Sequence, residues 1–158
     1  MVTALSEAIC SSHFGVAKLL VRRGADVHTK ICDGVGQSLP LLCDIAWRGS
    51  QFDYDLDLVR LLVDHGADVN AKRRDGRTAL HGIALIIPFT GECLGMVKIL
   101  LAGGANRRAL DLSRDAASDV LRRRHTEGEI HSNTFLAEAM ELLRPNVDDQ
   151  RPPEASLS

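Results

Sequence analysis

The sequence predicts an all-α protein, a solenoid of about four two-helix units stacked one on another, and three observations predict it. The first is a phrase that occurs three times. Ala17-Lys18-Leu19-Leu20-Val21-Arg22-Arg23-Gly24-Ala25-Asp26-Val27 returns as Val59-Arg60-Leu61-Leu62-Val63-Asp64-His65-Gly66-Ala67-Asp68-Val69 and as Val97-Lys98-Ile99-Leu100-Leu101-Ala102-Gly103-Gly104-Ala105-Asn106. Such recurrence means similar units, each with an apolar face it cannot bury alone, which become stable by stacking. The second is spacing within the phrase: Val97, Leu100 and Leu101 share one helical face. The third is composition. The 158 residues are 45% apolar but only 4% aromatic, so the core is aliphatic and suits small, closely packed helices better than a large ligand cavity.

Unit one runs from Thr3-Ala4-Leu5 to Gly24 with no turn segment before it, so the chain also reads as part of a longer array. Unit two is degenerate: Pro40-Leu41-Leu42-Cys43-Asp44-Ile45-Ala46-Trp47 aligns with Thr78-Ala79-Leu80-His81-Gly82-Ile83-Ala84-Leu85. Proline suits that helix start, because its missing N–H would have no helical partner. The turn residues Ala71-Lys72-Arg73-Arg74-Asp75-Gly76 lead into unit three, where Thr78 stands at an N-cap position. Its second helix, Leu94 to Leu101, is ended by Gly103-Gly104, since the stop needs a residue comfortable at positive φ. Unit four takes Ala116 to Arg124 and Asn133 to Leu143 as helices, with Pro145 closing the second. The solenoid thus spans residues 1–145, in units of about 1–30, 31–72, 73–108 and 109–145, and the polar segment 146–158 reads as a disordered tail.

Two motifs add a resemblance. Asp75-Gly76-Arg77-Thr78-Ala79-Leu80-His81 resembles the DGxTPLH opening of an ankyrin repeat, and Leu61-Leu62-Val63-Asp64-His65-Gly66-Ala67-Asp68-Val69-Asn70 resembles its LLxxGADVN close. The resemblance covers about residues 3–108 and, more loosely, 109–145. It implies helix–turn–helix units joined by β-hairpin-like loops in a gently curved solenoid, with protein partners bound through hairpin tips and the concave face. It also implies that His81 is the repeat's structural histidine, and that the hairpin-bracing bond of that histidine is in question where Cys43 replaces it.

Spacing departs from the family. An ankyrin unit is about 33 residues long, whereas Gly24, Gly66 and Gly104 are separated by 42 and 38. Units two and three each carry five extra residues between their helices, unit four carries more (Arg124 to Ser132), and the turn at Ile31 to Leu39 is also extended. Equivalent loops of a solenoid lie side by side, so the insertions are expected to line one edge. Trp47, Phe52, Tyr54, Phe89, His125 and His131 on that edge form a candidate ligand site, with mutual packing to hold the loops down as the simpler account. Asp53, Asp55 and Asp57 make the same edge acidic.

The opposite rim is basic. Lys72, Arg73, Arg74 and Arg77 fall on one hairpin and Arg107 and Arg108 on the next, a candidate partner-binding surface that would steer an acidic protein. Nucleic acid is not expected, because the net charge is −2 and no aromatic residues interleave with the arginines for base stacking. His125 and His131 with Glu127 and Glu129 match no zinc spacing, and no phosphate loop, nucleophile elbow or HExxH occurs, so no metal, cofactor or catalytic residue is assigned. The N-terminus lacks the features of a signal peptide, no apolar run reaches membrane-spanning length, and Cys10, Cys32, Cys43 and Cys93 form no CxxC pair. The expectation is a non-catalytic intracellular adaptor or scaffold of the cytoplasm or nucleus, not a secreted or membrane protein. The rival reading is a small-molecule binder or atypical enzyme with its pocket in the lengthened loops.

Overall fold

The computed structural model describes residues 3–32, 38–48 and 55–144. The tail expected at 146–158, the loop residues Phe52, Asp53 and Tyr54, and most of the extended turn before unit two lie outside the described residues. Unit one comprises α1 (Ala4–Cys10) and α2 (Phe14–Arg22). An antiparallel pair, β1 (Lys30–Cys32) and β2 (Ser38–Pro40), follows with Ile31 opposite Leu39, and leads into α3 (Leu41–Arg48) and α4 (Leu56–Asp64) of unit two. Unit three comprises α5 (Ala79–Ala84) and α6 (Gly91–Ala102); unit four comprises α7 (Ala117–Arg124), α8 (Glu127–Ser132) and α9 (Thr134–Leu142).

The repeated phrase explains itself residue by residue. Ala17, Val59 and Val97 occupy equivalent places in the second helices and are all buried. Gly24, Gly66 and Gly104 adopt φ of 84°, 85° and 87°, the left-handed conformation that ends a helix. The chain then turns back, so that Ala25, Ala67 and Ala105 each donate from the backbone to the carbonyl of Leu20, Leu62 and Leu100. The carboxylate or amide that follows closes the next turn: Asp26 accepts from the His28 N–H, Asp68 from Asn70 and Asn106 from Arg108.

Stacking produces two layers. In the first-helix layer, α5 packs between α3 and α7, and in the second-helix layer the order is α2, α4, α6, α9. Leu58, Leu62, Leu80, Ile83, Leu100, Leu121, Leu136 and Leu143 are among the fully buried side chains that fill the space between. The core is therefore continuous along the array, which is how short helices become stable together.

Two elements differ from expectation. Helix α6 starts at Gly91, three residues before Leu94, because the Thr90 hydroxyl accepts from the Cys93 N–H and caps an additional turn. The segment expected as an irregular loop in unit four contains α8. Thr126 accepts from the Glu129 N–H while the Glu129 carboxylate accepts from the Thr126 N–H, a reciprocal cap that nucleates this helix with no buried residue of its own.

Stacking makes the second-helix leucines the test of the fold. Leu62→Ala and Leu100→Ala are each expected to lower stability by about 2–5 kcal/mol, read from urea or thermal unfolding. Variants that unfold like the parent would contradict a core shared between units.

Candidate functional site

Three of the four first helices start with a four-residue pattern whose last member reaches back to the first. In unit one the Thr3 N–H donates to Ser6 Oγ (2.9 Å); in unit three the Thr78 N–H donates to His81 Nδ1 (3.2 Å); in unit four the Ala116 N–H donates to Asp119 Oδ2 (3.0 Å). Unit two has Pro40 at this place, which offers no N–H, and so Cys43 is released from the task. Its thiol donates instead to the Ala71 carbonyl (3.2 Å). Burial pushes that thiol up to about 12, so the donor proton is retained at neutral pH. His81 does both jobs. Because a backbone N–H can only donate, Nδ1 is the acceptor nitrogen, and Nε2–H therefore donates to the Asp115 carbonyl at 3.0 Å. His81 and Cys43 thus each brace the hairpin that follows their own unit.

The braced hairpins share one design. Arg73 N–H donates to the Arg77 carbonyl and Gly76 N–H to the Arg73 carbonyl; one unit on, Asp111 N–H donates to the Asp115 carbonyl and Arg114 N–H to the Asp111 carbonyl. The turn needs a positive φ, supplied by Gly76 at 78° and by Arg114 at 65°. Gly76 answers a second demand as well, because a Cβ there would lie 3.0 Å from the Leu112 nitrogen.

That proximity reflects joining of the two hairpins into one ledge. Leu112 N–H donates to the Asp75 carbonyl (3.0 Å), Lys72 Nζ donates to the Leu110 carbonyl (3.2 Å), and Asn70 bonds both the Gly104 carbonyl and the Asn106 N–H. At the centre the buried Asp111 carboxylate accepts from the Ser113 and Asp115 N–H groups and from Arg77 Nε at 3.2 Å. Burial alone would push the Asp111 carboxyl up. The bonds from Asp115, Arg77 and Ser113 outweigh it and hold the group below the usual carboxylate range.

Of the six predicted cations, Arg77 is thereby engaged in joining hairpins. Arg73 lies over the Trp47 ring, its Cζ 4.3 Å from the ring centroid, with Asp75 3.9 Å from its Nε. Arg73 therefore bridges the hairpin rim to the last turn of α3, where Trp47 is 40% exposed. Lys72, Arg74 and Arg108 are exposed and Arg107 is half-buried.

The arrangement has known counterparts. The family description "Ankyrin repeat" matches residues 2–31 and 75–112, and "Ankyrin repeats (many copies)" matches residues 53–81, together more than half of the chain. The chain belongs to the ankyrin-repeat family. It is similar to ankyrin repeat and SOCS box protein 6 of Homo sapiens, 36% identical over 108 residues, which are 68% of this chain and 24% of that protein. It is also similar to alpha-latrocrustotoxin-Lt1a of Latrodectus tredecimguttatus, 27% identical over 157 residues, 92% of this chain and 10% of the toxin. Among solved structures, the ankyrin repeat domain of Bcl-3, described as a unique member of the IkappaB protein family, matches with a TM-score of 0.61 at 26% identity, covering 91% of this chain and 52% of that one. The chain spans about a quarter of the length of the SOCS box relative.

In this ankyrin array the lengthened loops of units three and four do lie together: the Asn133 side chain donates to the Phe89 carbonyl at 2.8 Å. Phe89 and His125 are both buried and meet edge to face, with ring centroids 6.4 Å apart. Trp47 pairs instead with Arg73, and His131 Nδ1 turns to the Glu127 carbonyl of its own helix. Asp55 caps α4 through the Leu58 N–H and pairs with Lys18 Nζ at 2.8 Å. A cleft of about 620 Å³ runs between α4 and α6, and one of about 210 Å³ beneath the β1–β2 hairpin; neither is lined by the predicted edge residues. Among the described residues no group of three or more potential ligands could hold a metal, and no helix is long and apolar enough to cross a membrane.

Sequence reasoning missed Asp111, Leu110, Leu112 and Arg114 on the ledge, and the exposed Arg122, Arg123 and Arg124 on α7. Arg123 reaches back to Asp115 at 2.6 Å. Three consecutive arginines before His125 were the available signal for the last group.

The lowered Asp111 carboxyl gives stability that is fully present above the ordinary carboxylate value, about pH 4, and is lost as pH falls through the folded-state value. Asp111→Asn is expected to cost about 1–2 kcal/mol at neutral pH and to flatten the acid side of a stability–pH profile measured by urea unfolding. An unchanged acid slope would contradict the role given to Asp111.

Proposed function

We propose that this ankyrin array is an intracellular protein-binding adaptor, of the cytoplasm or nucleus, that captures a partner with an acidic surface. The binding surface is the hairpin ledge with the adjoining end of α3. The observation that carries this reading is the junction of the two hairpins, which sets Lys72 and Arg74 beside Leu110 and Leu112 on one braced surface. A rigid display of cations costs little ordering on binding, and its field raises the rate of encounter with an acidic partner. Arg73 and Trp47 extend that surface inward with the two residue types that most often anchor interfaces. Membership of the ankyrin family supports protein binding as the mode, while the partner is a matter of this chain's own surface. The lengthened loops act in this reading as local braces, with Phe89 and His125 as the core of one of them.

The test is partner capture followed by quantitative mass spectrometry. The double variant Arg74→Glu/Arg108→Glu is expected to reduce recovery of the principal partner about tenfold, whereas Arg60→Glu on α4 leaves it unchanged. Recovery that is equal for parent and double variant would contradict the ledge as the binding surface.

A further inference from the structure

The ledge is not only basic. Leu112 is 77% exposed and Leu110 45% exposed, both on the second hairpin. Their backbone is held against the first hairpin by the Leu112 N–H bond to Asp75 and the Lys72 bond to the Leu110 carbonyl, so the leucines share one surface with Lys72, Arg74 and Arg114. A polar turn would satisfy the backbone equally well. The equivalent places on the first hairpin hold Lys72 and Arg74, in keeping with a solvated turn, while the second holds Leu110 and Leu112. Apolar surface left in water at a loop tip is unfavourable, and a partner that covers both leucines removes that cost.

We propose that the occupant of the ledge is an acidic, extended segment of a partner protein that carries an apolar side chain among its carboxylates. This rests on the reading of the ledge as the partner site. The carboxylates face Lys72, Arg74 and Arg114, and the apolar side chain covers Leu112. Cations set the approach and the sign of the partner; the leucine sets which acidic segments stay, because a purely acidic segment would either leave Leu112 in water or desolvate its own carboxylates against it. The surface continues from the tip along Arg73 to Trp47 at the end of α3, a line that an extended peptide follows. A flat anionic bilayer would meet the tip and leave Trp47 untouched, so the peptide is the occupant the geometry favours.

The test uses the full chain as bait for a random peptide library displayed on phage, with vesicles containing phosphatidylserine as a separate arm. Enriched peptides are expected to be acidic and to contain Leu, Ile, Phe or Trp. A synthetic copy of the leading peptide is expected to bind about tenfold more weakly to Leu112→Ser and to Arg74→Glu, and to weaken similarly when its own apolar residue becomes serine. Both substitutions are at exposed side chains, and unchanged unfolding curves establish that the variants are folded. Acidic peptides without apolar residues, indifferent to Leu112→Ser but sensitive to Arg74→Glu, would overturn the apolar anchor and leave the basic ledge standing. Peptides indifferent to Arg74→Glu, or no enrichment of acidic peptides, would overturn both. Binding to the anionic vesicles that Leu112→Ser abolishes, without peptide enrichment, would assign the ledge to a membrane and overturn the proposal.

Discussion

Buried backbone groups of each hairpin must find partners, and in this protein those that the hairpin itself leaves unmet are met from the helix before it or from the adjoining hairpin. That constraint organises the rest. A hairpin pressed between a helix and another hairpin cannot use water for every N–H and C=O, and an unmet buried group is costly. His81 meets the Asp115 carbonyl, Cys43 the Ala71 carbonyl, and Asp111 gathers two N–H groups together with Arg77. The bonds of His81 and Arg77 reach across to the next unit, Cys43 ties α3 to the hairpin that closes its own unit, and the two N–H groups on Asp111 come from its own hairpin. The same contacts that satisfy the backbone therefore fix the position of one unit on the next, and with it the surface that the tips present.

Much of the scaffold was legible because it is local. Helical spacing, the glycine that ends each second helix, and the Asp or Asn that follows it act within a few residues, so the sequence pattern and the φ values of Gly24, Gly66 and Gly104 agree. Helix α8 was also local, and its Thr126–Glu129 reciprocal cap was present to be read. Asp111 was hidden for a different reason: its equivalent on the preceding hairpin is Arg73, and the partner that joins it to that hairpin, Arg77, is 34 residues away in sequence. Cys43 looked like a missing histidine. Pairing it with Pro40 removes the anomaly, because a residue without an N–H needs no acceptor three places on.

The candidate surface was half legible. The cations could be counted from sequence, but their roles divide only in three dimensions: Arg77 and Lys72 bond to the adjoining hairpin, Arg73 covers Trp47, and Arg74 is exposed. Trp47 had been grouped with the lengthened loops because it ends a first helix. Arg73 draws it into the opposite surface instead, making one platform from residues that sequence placed on two edges. The surplus length of the units is expressed, where units three and four adjoin, as packing of Phe89 on His125 and a bond from Asn133.

The central claim is that two hairpins form a single braced ledge, and the amide of Leu112 reports on it most directly. The residue is 77% exposed, yet its N–H is bonded to Asp75 of the neighbouring hairpin. Native-state hydrogen exchange is expected to find this amide slowed about a hundredfold or more relative to an unstructured peptide. Exchange at the unstructured rate would mean that the hairpins move independently, and the ledge would not exist as a surface.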